Sequence, residues 1–186
     1  TYVEGIVPIV QALQAYPVEL IIVVSSTRVY GEQAGERIDD ESMIQPADAQ
    51  GQILRNMELL WQAYYSERCV IVRPTGIYGT SIHRLKRLAE QTQSYANIHY
   101  SNRIHIDDLA RFLALLASLA NRMDSYIVSN NQPVPMHEIL LWLQQQLHLP
   151  PLTLASTQLT GKQIYATRMC ATGFECEHVI CFNDYA

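Results

Sequence analysis

The sequence predicts an α/β protein with a doubly wound parallel sheet, because helical and strand-like patterns alternate along the chain. Residues 3–15 carry apolar side chains at helical spacing, and residues 19–25 then form a continuous apolar run rich in β-branched side chains. The same order recurs in the helical pattern of residues 51–67 and the apolar run of residues 69–74. Continuous apolar strands are typical of parallel sheets that helices cover on both faces.

The remaining segments are assigned by the same criteria. Residues 31–49 are rich in Glu, Asp, Gly and Pro, which predicts a surface loop. The later patterns predict helices at 82–92, 107–120 and 136–147, an extended piece at 97–104 and a strand at 126–129. The weaker periodicity from residue 152 onward favours a cap on the substrate side. We therefore expect one unit over residues 1–130 and a small dependent region over residues 131–186.

Composition narrows the class of protein and its partners. The 186 residues are 48% apolar and 17% charged, which suits one domain with a sizeable core. The net charge is -5 and the 13 Lys and Arg residues are scattered, so nucleic acid and anionic membranes are poor candidates as partners. The longest apolar run is far shorter than the ~20 residues of a membrane span. With no signal-like start, the chain is expected to be cytoplasmic and to begin in mid-fold.

The cysteines favour reduced thiols rather than a metal site. Four are present, at Cys69, Cys170, Cys176 and Cys181, and none forms a CxxC pair. A zinc site that used the last three together with His178 is conceivable, but the spacing matches no standard ligand pattern. The sequence therefore predicts no bound metal.

Four segments together carry a family resemblance. They are residues 23–31 (VVSSTRVYG), 73–79 (RPTGIYG), 103–110 (RIHIDDLA), and the tail, with residues 162–168 and the ATGF of 171–174. In this order and at these intervals they resemble the extended short-chain dehydrogenases/reductases of the NAD-dependent epimerase/dehydratase family. Asp107 or Asp108, in the third segment, is expected to cap the following helix.

The resemblance implies a fold and a site. The fold would be a partial Rossmann-like doubly wound sheet followed by a small substrate-side region, and the cofactor would be NAD or NADP. Ser26 takes the place of the family's active-site hydroxyl, which donates a hydrogen bond to the reacting substrate oxygen. Cofactor contacts are expected from Ser25, Ser26, Pro74 and Thr75 at the carboxyl ends of strands. Arg28 would face the substrate and could hold a phosphate or carboxylate.

Two departures from the family pattern change the expected chemistry. No GxxGxxG turn occurs among the 186 residues, so the pyrophosphate cradle of the family's first half, and the residue that selects NAD or NADP, have no counterpart. When the family's downstream glutamate is aligned on Glu58, its catalytic Tyr falls on the substrate-side Gln50 and its Lys on Leu54. Glutamine cannot exchange a proton near neutral pH, and leucine can neither shift a pKa nor bind ribose.

Several other side chains have a structural and a functional interpretation. Arg55, next to the Lys position, could reach a ribose or phosphate, but one residue along a helix turns it away from that face by ~100°. His105 could pair with an adjacent aspartate, although a strand histidine beside helix-capping aspartates is more common. Arg73 could bind an anion or be solvated or ion-paired. Tyr30 and Tyr78 are more often structural rings than bases.

Three functional hypotheses follow from these observations. The first is an atypical NAD(P)-binding epimerase/dehydratase-like protein that binds a small-molecule ligand and lacks Tyr/Lys-based hydride chemistry. The second is a non-catalytic ligand-binding sensor or scaffold, which loss of the Tyr and Lys would favour. The third is a truncated, inactive fragment. A sheet without its first strands would expose an apolar edge, which a second copy of the chain could cover as a homo-oligomer.

Overall fold

The computed structural model describes residues 2–31, 34–179 and 182. The helices are α1 (Tyr2–Leu13), α2 (Ala49–Tyr65), α3 (His83–Gln91), α4 (Ile106–Ser118), α5 (Met136–Gln146) and α6 (Thr167–Ala171), and 3-10 turns lie at Thr27–Tyr30 and Ser66–Arg68. The strands are β1 (Ile21–Val24), β2 (Ala34–Ile38), β3 (Cys69–Pro74), β4 (Gly76–Tyr78), β5 (Ser94–Tyr95), β6 (Ile98–Ser101), β7 (Arg103–His105), β8 (Ser125–Val128), β9 (Val134–Pro135), β10 (Thr153–Leu154) and β11 (Leu159–Ile164).

The central sheet has the order β1-β3-β8, and all of its pairings are parallel. Every residue of β3 is buried, as expected for the middle strand of a sheet that is covered on both faces. One group of core side chains joins β1 and β3 to α1 and α2, and includes Val10 and Met57. A second group packs β3 and β8 against α4, with Phe112 fully buried. The predicted α/β class with a parallel sheet is confirmed.

A second sheet lies beside the first, with the order β2-β11-β6-β9. In it β11 pairs in parallel with both β2 and β6, while β6 and β9 are antiparallel. The segment predicted as a loop at 31–49 thus contains a strand, and the weakly periodic region after residue 152 contains β10, β11 and α6. The prediction missed β2 because its sequence AGERI buries only Gly35 and Ile38.

The predicted division at residue 130 stays a prediction, but strands from both sides of it share this second sheet. Lys162 donates to the carbonyl of Gly31, and the side-chain amide of Gln163 donates to the carbonyl of Gly35 at 2.7 Å. Among the helices that the structure describes, none has the length and apolar character to cross a membrane.

Candidate functional site at the carboxyl edge of the central sheet

The first loop at this edge follows β1 and carries both serines of the family motif. The Ser25 amide continues the strand pairing by donating to the Val72 carbonyl at 2.7 Å. Ser26 is extended (φ -156°, ψ 150°), and its Oγ accepts a 3.2 Å hydrogen bond from the Arg28 amide, so it caps the short 3-10 turn. The Ser25 side-chain oxygen is buried and has no hydrogen-bond partner among the described residues. It is therefore a buried polar atom whose hydrogen-bonding capacity is unused among the described residues, which calls for an explanation.

The second loop follows β3, and hydrogen bonds connect it to both neighbouring strand ends. Thr75 is 5% exposed, and both its amide and its hydroxyl donate to the Val128 carbonyl, at 3.0 and 3.3 Å. The Thr27 hydroxyl donates to the Pro74 carbonyl at 3.4 Å. The expected cofactor-contacting residues Ser25, Pro74 and Thr75 therefore lie at one edge of the sheet, in adjacent loops.

Arg28 and Gln50, the two expected substrate-side residues, lie on neighbouring elements at the surface. Arg28 donates to both carboxylate oxygens of Asp48 at 2.8–3.1 Å, so that its guanidinium already holds a carboxylate from the chain itself. The same Asp48 caps α2 by accepting from the Gly51 amide at 2.7 Å. Gln50 is exposed in the first turn of that helix. The sequence reasoning did not single out Asp48. An aspartate directly before a helical pattern is a common helix cap, and this signal could have identified it.

Asp48→Asn is expected to remove the acid-side pH dependence that this ion pair produces. Hydrogen bonds from Arg28 and from the Gly51 amide hold the pKa of Asp48 below its usual value. A lowered folded-state pKa adds stability above the unfolded pKa, and this stability is lost as pH falls through the folded pKa. The difference in melting temperature between wild type and Asp48→Asn should therefore shrink below about pH 4. A constant difference from pH 7 to pH 2 would contradict the pairing.

A buried ion pair underlies the site. Arg73, at 3% exposure, donates from Nε and Nη2 to the two oxygens of the fully buried Glu58 at 2.9 and 2.8 Å. It also donates to the Tyr30 hydroxyl at 3.1 Å. Burial alone would lower the pKa of Arg73, but the bonds to Glu58 and Tyr30 raise it overall. For Tyr30, by contrast, burial itself raises the pKa, because the charged form of a tyrosine is the deprotonated one. Arg73 is therefore ion-paired inside the protein rather than an anion ligand.

Arg55, the other cationic residue considered for the site, is also bound within the protein. Arg55 donates to Glu58 at 3.1 Å and so joins the buried ion pair instead of the carboxyl edge. Leu54, which was expected at the Lys position, is partly buried and packs against the core. Both placements agree with the helical geometry expected from the sequence.

A third group of polar residues lies where β7 meets α4. The helix is capped by His105, whose Nδ1 accepts from the Asp107 amide at 3.2 Å, and not by an aspartate as predicted. Asp108 is fully buried and accepts from the amides of Glu177 and His178 at 2.9 and 3.0 Å. Asp108 thus holds the backbone of the tail against the start of α4 and does not cap its own helix.

The cysteines follow the sequence prediction of free thiols as far as the structure describes them. Cys69, Cys170 and Cys176 are free, and Cys181 lies outside the described residues. Burial raises the pKa of the Cys69 thiol to about 11 and that of the Cys176 thiol to about 12. Within the described part of the chain, these cysteines form no ligand cluster with His178, whose ring stacks on His105 instead.

Comparison with solved structures identifies the family. A protein of Methylobacillus flagellatus, assigned as a NAD-dependent epimerase/dehydratase, is 32% identical to this chain, with a TM-score of 0.85; the match covers 100% of this chain and 68% of that one. The chain belongs to the NAD-dependent epimerase/dehydratase family. No family model matches the sequence, and no curated protein does.

More distant structures share the fold. A dTDP-glucose 4,6-dehydratase from Bacillus anthracis, in complex with NAD, has a TM-score of 0.80 at 15% identity, over 97% of this chain and 64% of that one. A UDP-glucuronic acid 4-epimerase from Bacillus cereus, also with NAD, has a TM-score of 0.76 at 15% identity, over 95% and 60%. This chain therefore spans about two thirds of the length of these proteins.

Proposed function

We propose that the chain binds NAD at the carboxyl edge of its central sheet and does not perform Tyr/Lys-based hydride chemistry there. The observation that carries the first part is the buried Ser25 hydroxyl, which has no partner among the described residues. An unpaired buried hydroxyl costs about 1–3 kcal/mol, so a ligand atom that bonds to it would recover this energy. The NAD present in the solved Bacillus structures supports the choice of cofactor.

The residues of the edge suit a nicotinamide ring and its ribose. Ser25 would supply a side-chain hydroxyl, while Pro74 and Thr75 would supply the buried wall formed by the loop after β3. When bound, NAD supplies the hydride acceptor of the family's chemistry. Ser26 would face the substrate with its hydroxyl, which now accepts from the Arg28 amide and retains a proton to donate.

The second part of the proposal concerns proton transfer. Gln50 stands at the expected Tyr position, and a side-chain amide cannot act as an acid or base near neutral pH. Leu54 stands at the Lys position with its side chain against the core. Arg55 is engaged with Glu58 and does not replace the Lys charge at the edge. These side chains favour binding without turnover. The same property would suit a ligand-binding sensor or scaffold.

NADH is expected to raise the melting temperature of the wild-type chain, because a ligand that binds only the folded state stabilises it. Ser25→Ala should weaken NADH binding about 5- to 150-fold, which corresponds to the 1–3 kcal/mol that the bond to the buried hydroxyl recovers. Ser118→Ala, at an exposed helix end, is the matched control and should leave affinity unchanged. NADPH is run in parallel to separate the two cofactors.

Two results would count against the proposal. One is a melting temperature that neither NADH nor NADPH moves at millimolar concentration. The other is steady NADH turnover with a sugar-nucleotide or simple carbonyl substrate that disappears in Ser26→Ala. The first outcome would remove the cofactor assignment, and the second would show that catalysis persists without the Tyr and Lys.

A further inference from the structure

The tail and the start of α4 bring together three side chains that have no role in the proposed cofactor site. One nitrogen from each of two histidines, His105 and His178, and one carboxylate oxygen of Asp107 lie within 4.8 Å of one another. Imidazole nitrogen and carboxylate oxygen are the donors that first-row transition metals take in proteins, and hard cations such as Mg²⁺ prefer oxygen alone. We propose that these three residues form a binding site for a divalent transition metal such as Zn²⁺.

The position of His105 is fixed on several sides. Its ring is 9% exposed, meets the edge of the Tyr78 ring with centroids 5.1 Å apart, and stacks on the His178 ring at 3.6 Å and 14°. Gly79 makes this packing possible: a Cβ built there would lie 2.3 Å from Nε2. The other nitrogen, Nδ1, faces Asp107 and lies 3.6 Å from its Oδ2. Nδ1 of His105 is therefore the ligand atom, and it faces Asp107, which would be the second ligand.

The position of His178 is set by the backbone of the tail. Asp108 accepts from the amides of Glu177 and His178, and Arg111 donates to Asp108 at 2.8 Å and pairs with Glu177 at 3.2 Å. These bonds hold the backbone of His178 next to His105, so the side-chain rotation of His178 is the main rearrangement that metal binding would need. Groups that order a ligand in this way are a regular part of protein metal sites.

Binding would replace the hydrogen bond at His105 Nδ1 and the stacking of the two rings by metal–ligand bonds. Nδ1 of His105 now accepts a 3.2 Å hydrogen bond from the Asp107 amide, and the metal would take that lone pair. Because the two ring planes are only 14° apart, their in-plane lone pairs do not converge, and the His178 ring would have to rotate out of the stack to face the ion. With two neutral imidazoles and one carboxylate, a divalent ion would leave a net charge of about +1 on the complex. Glu177, next to His178 in the chain, is a carboxylate close to this charge. The ion would join the tail to the start of α4.

Cobalt(II) tests the site directly, because its visible absorption reports ligand type. The whole chain, stripped of metal with a chelator, is expected to bind Co²⁺ saturably, with weak visible bands and no intense thiolate charge-transfer band. Zn²⁺ should compete and should raise the melting temperature. His178→Ala and Asp107→Asn should each weaken Co²⁺ binding at least ~10-fold. Asp107 is 70% exposed, so this second variant is expected to fold.

His83→Ala, at an exposed histidine on α3, is the matched control and should bind Co²⁺ like the wild type. Three outcomes would overturn the proposal. They are wild-type affinity in both His178→Ala and Asp107→Asn, a strong thiolate band showing that cysteines hold the ion, and the absence of saturable binding.

Discussion

Glu58→Gln is expected to destabilise the chain by about 3–5 kcal/mol, which is the usual cost of leaving one charge of a buried pair uncompensated. Arg73 has 4% of its side chain exposed and donates to both oxygens of Glu58, so the charge that remains cannot reach water. Glutamine keeps the shape and one acceptor, but it removes the countercharge. The free energy of unfolding, measured in urea by linear extrapolation, checks the value.

Two further variants show whether the buried charge is the cause. The double variant Glu58→Gln/Arg73→Met removes both charges and is expected to recover part of the loss, since an apolar replacement of a buried pair is often tolerated. Arg55→Ala removes a partly exposed partner of Glu58 and should cost less than ~1 kcal/mol. A Glu58→Gln variant within 1 kcal/mol of wild type would show that the interior here is better solvated than its packing indicates.

Asp108→Ala is expected to cost about 2–4 kcal/mol, or to release the tail locally at a similar free energy. Its fully buried carboxylate accepts from Arg111 and from the amides of Glu177 and His178. Alanine leaves these donors without their acceptor, at about 1–3 kcal/mol for each one that water cannot reach. Amide hydrogen exchange at residues 177 and 178 distinguishes local opening from global unfolding.

The neighbouring aspartate provides the control. Asp107 is adjacent in the sequence but 70% exposed, so Asp107→Ala should change stability by less than ~0.5 kcal/mol and leave tail exchange as it is. Equal effects from the two alanine variants would mean that the tail is held by its apolar contacts, such as Phe174 against Phe112, rather than by the Asp108 carboxylate.

Much of the fold could be predicted because the central strands carry their own signal. The run from Cys69 to Val72 is apolar on both faces, and the structure buries it between two layers of helices. The helices at α2, α4 and α5 begin and end within two residues of their predicted bounds. In each case the pattern that predicts the element is local, although the residues that bury it can be distant in the chain.

The parts that escaped prediction depend on partners far away in the chain. β2 is a strand because β11 offers it hydrogen-bonding groups, and its own side chains are mainly polar. The sequence suggests that Arg28 holds an anion of the substrate, whereas in the structure its guanidinium binds Asp48, 20 residues later. His178 meets His105 where Asp108 binds the tail backbone, 70 residues away in the sequence. Single residues with polar partners have no periodicity, and therefore leave no pattern to detect.

The pairing of β2 with β11 has a consequence for how the chain folds. Gln163 and Gly35, which share a hydrogen bond across this pair, are 128 residues apart, and among the described strands β2 pairs with β11 alone. Contacts of such high sequence separation require a large loop to close first, which slows folding. During synthesis β2 must wait, unpaired, until residues 159–164 have left the ribosome. Refolding should therefore be slow, in the millisecond-to-second range, and the second sheet should gain its protection after the first.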